Sequence, residues 1–286
     1  MGRIAFVNGR YVPHAAAQVH VEDRGYQFAD GVYEVCEVRD GALIDVTRHL
    51  DRLERSLDEL RIDHPGERSA LTLIMREVVR RNRIRNGMVY LQVTRGVAPR
   101  DHGFPADVRP SVVMTARAAS RAKADAQAAA GIAVITVPDN RWDRVDIKST
   151  SLLPNVLAKQ AAREAGAYEA WFVDGDGFVT EGSSTNAWIV TREGTLVTRA
   201  AEHGILRGIT RGVVSDVAAT RQIRVVERPF SVEEAKTARE AFITAATTIV
   251  MPVVSIDGHA VGDGKPGPVA LGLRAAFHDG VERLSA

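Results

Sequence analysis

The chain has 286 residues, 45% of them hydrophobic and 26% charged, which describes an ordinary globular protein long enough for two domains with separate cores. Lys and Arg total 37 against 36 Asp and Glu, so a net charge of +1 supplies no broad field for nucleic acid or an anionic membrane, and any anion must be held locally. One cysteine, Cys36, excludes an internal disulfide and a cysteine-rich metal site, and no apolar run approaches the length of a membrane span. The expectation is a cytoplasmic protein with no metal, nucleic-acid or membrane partner.

In chain order, residues 3–7 and 11–12 flank Asn8-Gly9, a hairpin signal. Residues 32–38 alternate as a strand, with Tyr33, Val35 and Glu37 on one face and Val32, Glu34, Cys36 and Val38 on the other, before Asp40-Gly41 turns the chain back. Leu50, Leu53, Leu57 and Leu60 form a helical stripe from a Thr47 cap; Arg52 falls off that stripe and reads locally as solvated. A second helix spans 67–82 and a strand 88–94. The loop R-G-V-A-P-R-D-H-G-F-P then places Arg100 and His102 where an arginine fork and a histidine donor suit a carboxylate. Residues 116–130 lack large apolar side chains and read as a linker between domains 1–115 and 131–286.

The second half opens on R-W-D-R-V-D-I-K-S-T-S-L-L-P-N, where Val145 and Ile147 read as a strand that ends at Lys148, ahead of small hydroxyl residues and a helix from Pro154. A lysine desolvated there favours the neutral amine that forms Schiff bases, whereas Lys159, on the following helix, faces water. Glu181, at a strand end beside Gly182 and four small polar residues, reads as a carboxylate aimed into a cleft. Gly208, Ile209 and Thr210 start an amphipathic helix and outline a phosphate seat at its positive end.

Together these segments resemble the class IV, or fold type IV, pyridoxal-phosphate aminotransferases, closest to the D-amino-acid aminotransferase branch. The likeness runs through E-D-R-G-Y-Q-F-A-D-G-V-Y-E-V, H-L-D-R-L, V-T-R-G-V-A-P-R-D-H-G-F-P, D-I-K-S, V-T-E-G-S-S-T-N and L-R-G-I-T-R, in order along nearly the whole chain. It implies a two-domain α+β fold with pyridoxal 5'-phosphate in the interdomain cleft, and a homodimer. By the same resemblance Lys148 is the Schiff-base lysine, Glu181 the partner of the pyridine nitrogen, and Leu206 the residue against the ring. Arg52, Gly208, Ile209, Thr210, Ala246 and Thr247 hold the phosphate, and Tyr33, Arg100 and His102 trap the substrate carboxylate.

The implied reaction is ping-pong transamination between a D-amino acid such as D-alanine and a 2-oxo acid such as 2-oxoglutarate. Alternatives on the same fold are a branched-chain L-aminotransferase, an R-selective amine transaminase and aminodeoxychorismate lyase. Two departures stand out: Ala245-Ala246 replaces the family's Ser-Thr pair, and Glu37 stands where relatives often carry a basic residue.

Overall fold

The computed structural model describes residues 2–202 and 204–285; Met1, His203 and Ala286 lie outside them. The chain divides into two compact units. The first comprises Met1–Ser120, Ile147–Ser151 and Glu282–Ala286. It opens with the hairpin β1 (Ile4–Val7) and β2 (Arg10–Pro13), which turns through Asn8 and Gly9 at φ 44° and 87°. A short helix α1 (Arg24–Phe28) leads to β3 (Gly31–Arg39) and β4 (Ala42–Ile44). Helices α2 (Val46–Leu60) and α3 (Arg68–Arg81) follow, then β5 (Gly87–Thr94) and β6 (Ser111–Ala118). With a C-terminal strand, Arg283–Ser285, these form an antiparallel sheet ordered C-terminal strand, β4, β3, β5, β6, β1, β2.

β3 follows its period of two: Val32, Glu34, Cys36 and Val38 are buried, and Tyr33, Val35 and Glu37 are half-buried on the other face. Leu50, Leu53 and Leu57 of α2 and Met75, Val78 and Val79 of α3 close the core over the buried face. Helix α2 begins at Val46, one residue before the expected start, and Thr47 does not cap it. Its amide and hydroxyl donate instead to Glu282 Oε2 and Oε1, at 3.1 and 2.9 Å.

The second unit comprises Arg121–Asp146 and Leu152–Val281. It contains α4 (Arg121–Ala130), β7 (Ile132–Pro138), α5 (Leu153–Glu164), β8 (Glu169–Val173), β9 (Val179–Gly182), β10 (Asn186–Val190) and β11 (Leu196–Thr198). After these come α6 (Ile209–Thr220), β12 (Val225–Glu227), α7 (Val232–Thr237), β13 (Glu240–Ala245), β14 (Ile249–Ile256) and α8 (Pro268–Ala276). Its sheet runs β12-β11-β10-β13-β14-β7-β8-β9, parallel at β11/β12, β14/β7 and β7/β8, with His259–Ala260 pairing on β14. One face buries Trp171, Phe230, Ile243 and Met251. The other packs Trp188, stacked on Phe242 at 5.5 Å, beneath α6 and α8.

The architecture is α+β, with an antiparallel sheet in one unit and a mixed sheet in the other. Two segments differ from the sequence reading. Residues 116–130 are the end of β6 and helix α4, and the boundary between units falls at Ser120, so the Ala-rich stretch is a helix of the second unit with Ala128 buried. Val145 and Ile147 are not a strand of the second half: residues 143–146 turn, and Ile147–Ser151 joins the first unit. There Tyr33 N donates to Lys148 O at 3.0 Å, Thr150 N donates to Gly31 O at 2.9 Å, and Ile147 enters the core 3% exposed. The apolar residue that suggested a strand is an anchor. Ile147→Ala is therefore expected to destabilise the protein by about 2–5 kcal/mol in urea unfolding, as truncation of a packed core side chain does; a loss below about 0.5 kcal/mol would contradict the anchoring.

Candidate functional site

In the first unit the short pairing with β3 sets Lys148 against Tyr33, with Nζ 4.4 Å from the ring centroid. The Lys148 amide also donates to Ser56 Oγ of α2 at 3.3 Å, so its backbone is held from both sides. Tyr33 stacks on Tyr90 of β5 at 5.7 Å. Burial, with a smaller contribution from Tyr33, pushes the Tyr90 hydroxyl up to about 12, so it keeps its proton and donates to Gln92 Oε1 at 2.6 Å. The amine expected to carry chemistry is thus half-buried on an aromatic, proton-retaining face.

Arg52 is not solvated. It is 9% exposed, and its Nε and Nη2 donate to Glu34 Oε1 and Oε2 at 2.7 and 2.8 Å, while His49 Nδ1 lies 2.7 Å from Glu34 Oε2. The reason is helical geometry: His49, Arg52 and Ser56 form a second row beside the Val46, Leu50, Leu53 and Leu57 stripe, and both rows face β3. Burial alone would raise the Glu34 carboxyl, but the charge and fork of Arg52, then His49, outweigh it and hold the group well below the usual carboxylate range. Glu34 and His49 escaped the sequence reading; the available signal was a carboxylate on the apolar face of β3 opposite an i, i+3 His-Arg pair.

Arg100 and His102 come together in the loop after β5, both exposed, around one ring. Arg100 Cζ lies 4.6 Å from the Phe28 centroid, and the His102 ring lies 5.4 Å from it.

In the second unit Glu181 is the next-to-last residue of β9, at 6% exposure. Its Oε2 accepts from Asn186 Nδ2 and from the Leu206 amide, each at 3.1 Å, and its Oε1 accepts from Arg141. Arg141 also donates to both oxygens of Asp139 and packs on Phe172, with Cζ 4.4 Å from the ring centroid. Burial would lift Asp139, yet the Arg141 hydrogen bonds and charge hold it below its ordinary value. Arg141 was not singled out from sequence, because an arginine in a loop carries no local mark.

Asn186 also donates to Leu206 O at 2.9 Å, and a Cβ on Gly208 would sit 2.1 Å from its Oδ1. Only glycine permits that approach, which brings the start of α6 beside the residue that holds Glu181. Gly208 is the N-cap and no side chain caps the helix, so the first amides, at Ile209 and buried Thr210, have no intrahelical acceptor. Asn186 also faces Thr244 across β10/β13, two residues before the turn that holds Ala246 and Thr247. In that turn Thr247 is exposed, while Thr248 Oγ1 is buried without a hydrogen-bond partner.

The donor set fits pyridoxal phosphate. An uncapped helix start suits a phosphate, and the buried Glu181 carboxylate suits a protonated ring nitrogen.

The second unit holds another carboxylate that the sequence reading missed. Glu169 is fully buried and accepts from the hydroxyls of Ser183, Ser184 and Thr185, the last two at 3.2 and 3.5 Å. Lys159, expected to face water, lies 3.4 Å from Glu169 and donates to Tyr168 O at 2.5 Å. Three of the four small polar residues after Glu181, Ser183 to Thr185, are therefore hydrogen-bonded to Glu169, while the fourth, Asn186, serves Glu181.

The sequence profile of amino-transferase class IV matches residues 31–256. The chain is 41% identical over 282 residues to a protein of Staphylococcus haemolyticus named D-alanine aminotransferase, covering 98% of this chain and 99% of that one. A Listeria innocua protein of the same name is 42% identical over 278 residues, covering 97% and 96%. Among solved structures it resembles the branched-chain amino acid aminotransferase of Escherichia coli (TM-score 0.88, 25% identity, 97% and 94% covered). The branched-chain enzyme of Thermoproteus uzoniensis, solved with norvaline, is similar too (TM-score 0.87, 25% identity, 99% and 99% covered).

The buried Glu34 carboxylate yields a pH prediction. Its folded-state pKa lies below the ordinary 4.5, so its stabilisation is complete above that value and is lost as pH falls through it towards the lower folded-state value. Glu34→Gln, which leaves Arg52 without its carboxylate, is expected to cost about 3–5 kcal/mol at neutral pH. In urea unfolding at a series of pH values the deficit should hold constant down to the ordinary carboxylate range and shrink below it; a deficit that grows in acid contradicts the pairing.

Proposed function

The chain belongs to amino-transferase class IV, and on that footing we propose that it transfers the amino group of a D-amino acid such as D-alanine to a 2-oxo acid such as 2-oxoglutarate. What carries this reading is near-full-length identity of about two residues in five to proteins named D-alanine aminotransferase. Bound in the site, pyridoxal phosphate supplies an electron sink for the pair left on the substrate Cα when its proton departs.

The residues take their parts as follows. Lys148 would hold the cofactor through its amine in the resting enzyme. During turnover it would move a proton between the substrate Cα and the cofactor carbon that bears the amino group. Glu181, fixed by Arg141, Asn186 and the Leu206 amide, would meet the pyridine nitrogen, and Leu206 would cover the ring. The start of α6, from Gly208 to Thr210, would seat the phosphate, with Ala246 offering its backbone and Thr247 its hydroxyl.

Arg52 would serve that phosphate from its Glu34 pair, which fixes the fork but occupies two of its N–H donors. Tyr33, Arg100 and His102 would bind the substrate carboxylate. Glu37, half-buried on the same face of β3 as Tyr33, would, where it faces the pocket, disfavour acidic substrates or require a compensating arginine to admit one such as 2-oxoglutarate. The enzyme would work as a homodimer in the cytoplasm. Among the described residues no helix is long and apolar enough to cross a membrane.

A branched-chain L-amino-acid reading draws on the solved structures, but at 25% identity, and it leaves Arg100 and His102 without their part. The direct test is Lys148→Ala, assayed with D-alanine and 2-oxoglutarate. The expected result is a kcat reduced by more than about 10²-fold with the circular dichroism spectrum unchanged, the low end for a lost proton-transfer group. Turnover at the parent rate would refute the mechanism.

A further inference from the structure

The clamp residues Arg100 and His102 are exposed, and among the described residues neither side chain makes a hydrogen bond or an ion pair. Each rests on Phe28, at the end of α1, which Arg24 also approaches with Cζ 4.9 Å from the ring centroid. Arg24 is buried, and it reaches into the loop: Nη1 donates to Asp101 O at 2.6 Å and Nη2 to His102 O at 3.4 Å. Its Nε donates to Asp30 Oδ2 at 2.8 Å. Asp30 also accepts from Arg95 Nε at 2.7 Å and Nη2 at 3.0 Å.

One carboxylate thus faces two buried guanidiniums. The excess positive charge lies on backbone carbonyls and on the aromatic ring that supports Arg100. The nearest exposed acid in the loop, Asp101, turns Oδ1 onto the Gly103 amide. The base of the loop is pinned separately, through Arg24 N to Gly96 O at 2.9 Å and an Asp23–Val97 bridge, so it does not depend on the ring.

We propose that Phe28 is a positioning residue for the Arg100–His102 clamp, and that Arg24, fixed on Asp30, is the strut that carries the loop to it. The inference rests on the clamp reading above. A long arginine side chain in water samples many rotamers, and a ring face that pre-orders it lowers the cost of closing on a carboxylate. Amino acid and 2-oxo acid present the same carboxylate beside the reacting carbon. Losing the platform therefore weakens both to the same degree and leaves the chemical step alone.

The experiment is steady-state kinetics of the holoenzyme with D-alanine and 2-oxoglutarate for Phe28→Leu, Phe28→Tyr and Arg100→Ala, each with its thermal unfolding curve. The expected result for Phe28→Leu is a KM raised about three- to tenfold for both substrates by a common factor, with kcat and Tm near the parent. Phe28→Tyr, which keeps the ring face, restores the parent KM. Arg100→Ala raises both KM values further. If Arg100→Ala raises KM and Phe28→Leu does not, the platform is wrong and the clamp stands. If neither variant moves KM, the clamp reading falls and the platform with it. A fall in kcat or Tm with KM unchanged makes Phe28 a packing residue and overturns the proposal.

Discussion

Two backbone hydrogen bonds at the start of β3, from Tyr33 N to Lys148 O and from Thr150 N to Gly31 O, determine where Lys148, the proposed catalytic amine, sits. They draw Ile147–Ser151 out of the second half and onto the first unit, where Ile147 is buried and Lys148 meets the Tyr33 ring. A lysine in a free loop would be a solvated cation. Here the amine emerges from a segment anchored by one core side chain and by main-chain pairing, which gives it a fixed place on the outward face of the sheet.

Buried charge is handled in the same manner in both units. Asp30 holds Arg24 and Arg95, Glu34 holds Arg52 beside His49, and Arg141 joins Asp139 to Glu181. Each carboxylate would be costly alone, and each guanidinium supplies the fork that offsets its desolvation. Removing one member strands its partner, so these pairs act mainly by fixing geometry: Arg141 aims Glu181, and Asp30 aims Arg24 at the loop of Arg100 and His102. The second unit adds a steric device, Gly208 against Asn186, which couples the uncapped start of α6 to the Glu181 carboxylate.

Features governed by local periodicity were legible from sequence. The two faces of β3, the leucine stripe of α2, the Asn-Gly hairpin and the start of α6 lie close to where spacing puts them, because each depends on the chain within a few residues. What failed depended on distant partners. By its local pattern alone Arg52 looked solvated, and only the family resemblance gave it a ligand, because Glu34, eighteen positions away in sequence, is visible only once β3 and α2 are packed. Lys159 looked exposed for want of Glu169, and Val145 and Ile147 mimicked a strand although Ile147 belongs to another core. Arg141 and Glu169 had no local signature, and the one that Glu34 and His49 had, a carboxylate on an apolar strand face and an i, i+3 His-Arg pair, gains meaning only when folding brings the two together.

The central claim is that this site takes an amino group from the D rather than the L series. It is tested most directly by the visible absorption of the purified protein, supplied with pyridoxal phosphate, on mixing with D-alanine, L-alanine or L-leucine and no 2-oxo acid. The account predicts that D-alanine alone changes the cofactor absorption, in a single half-reaction. A change with L-leucine alone would contradict it, moving the chain to the branched-chain group and removing the carboxylate role of Arg100 and His102.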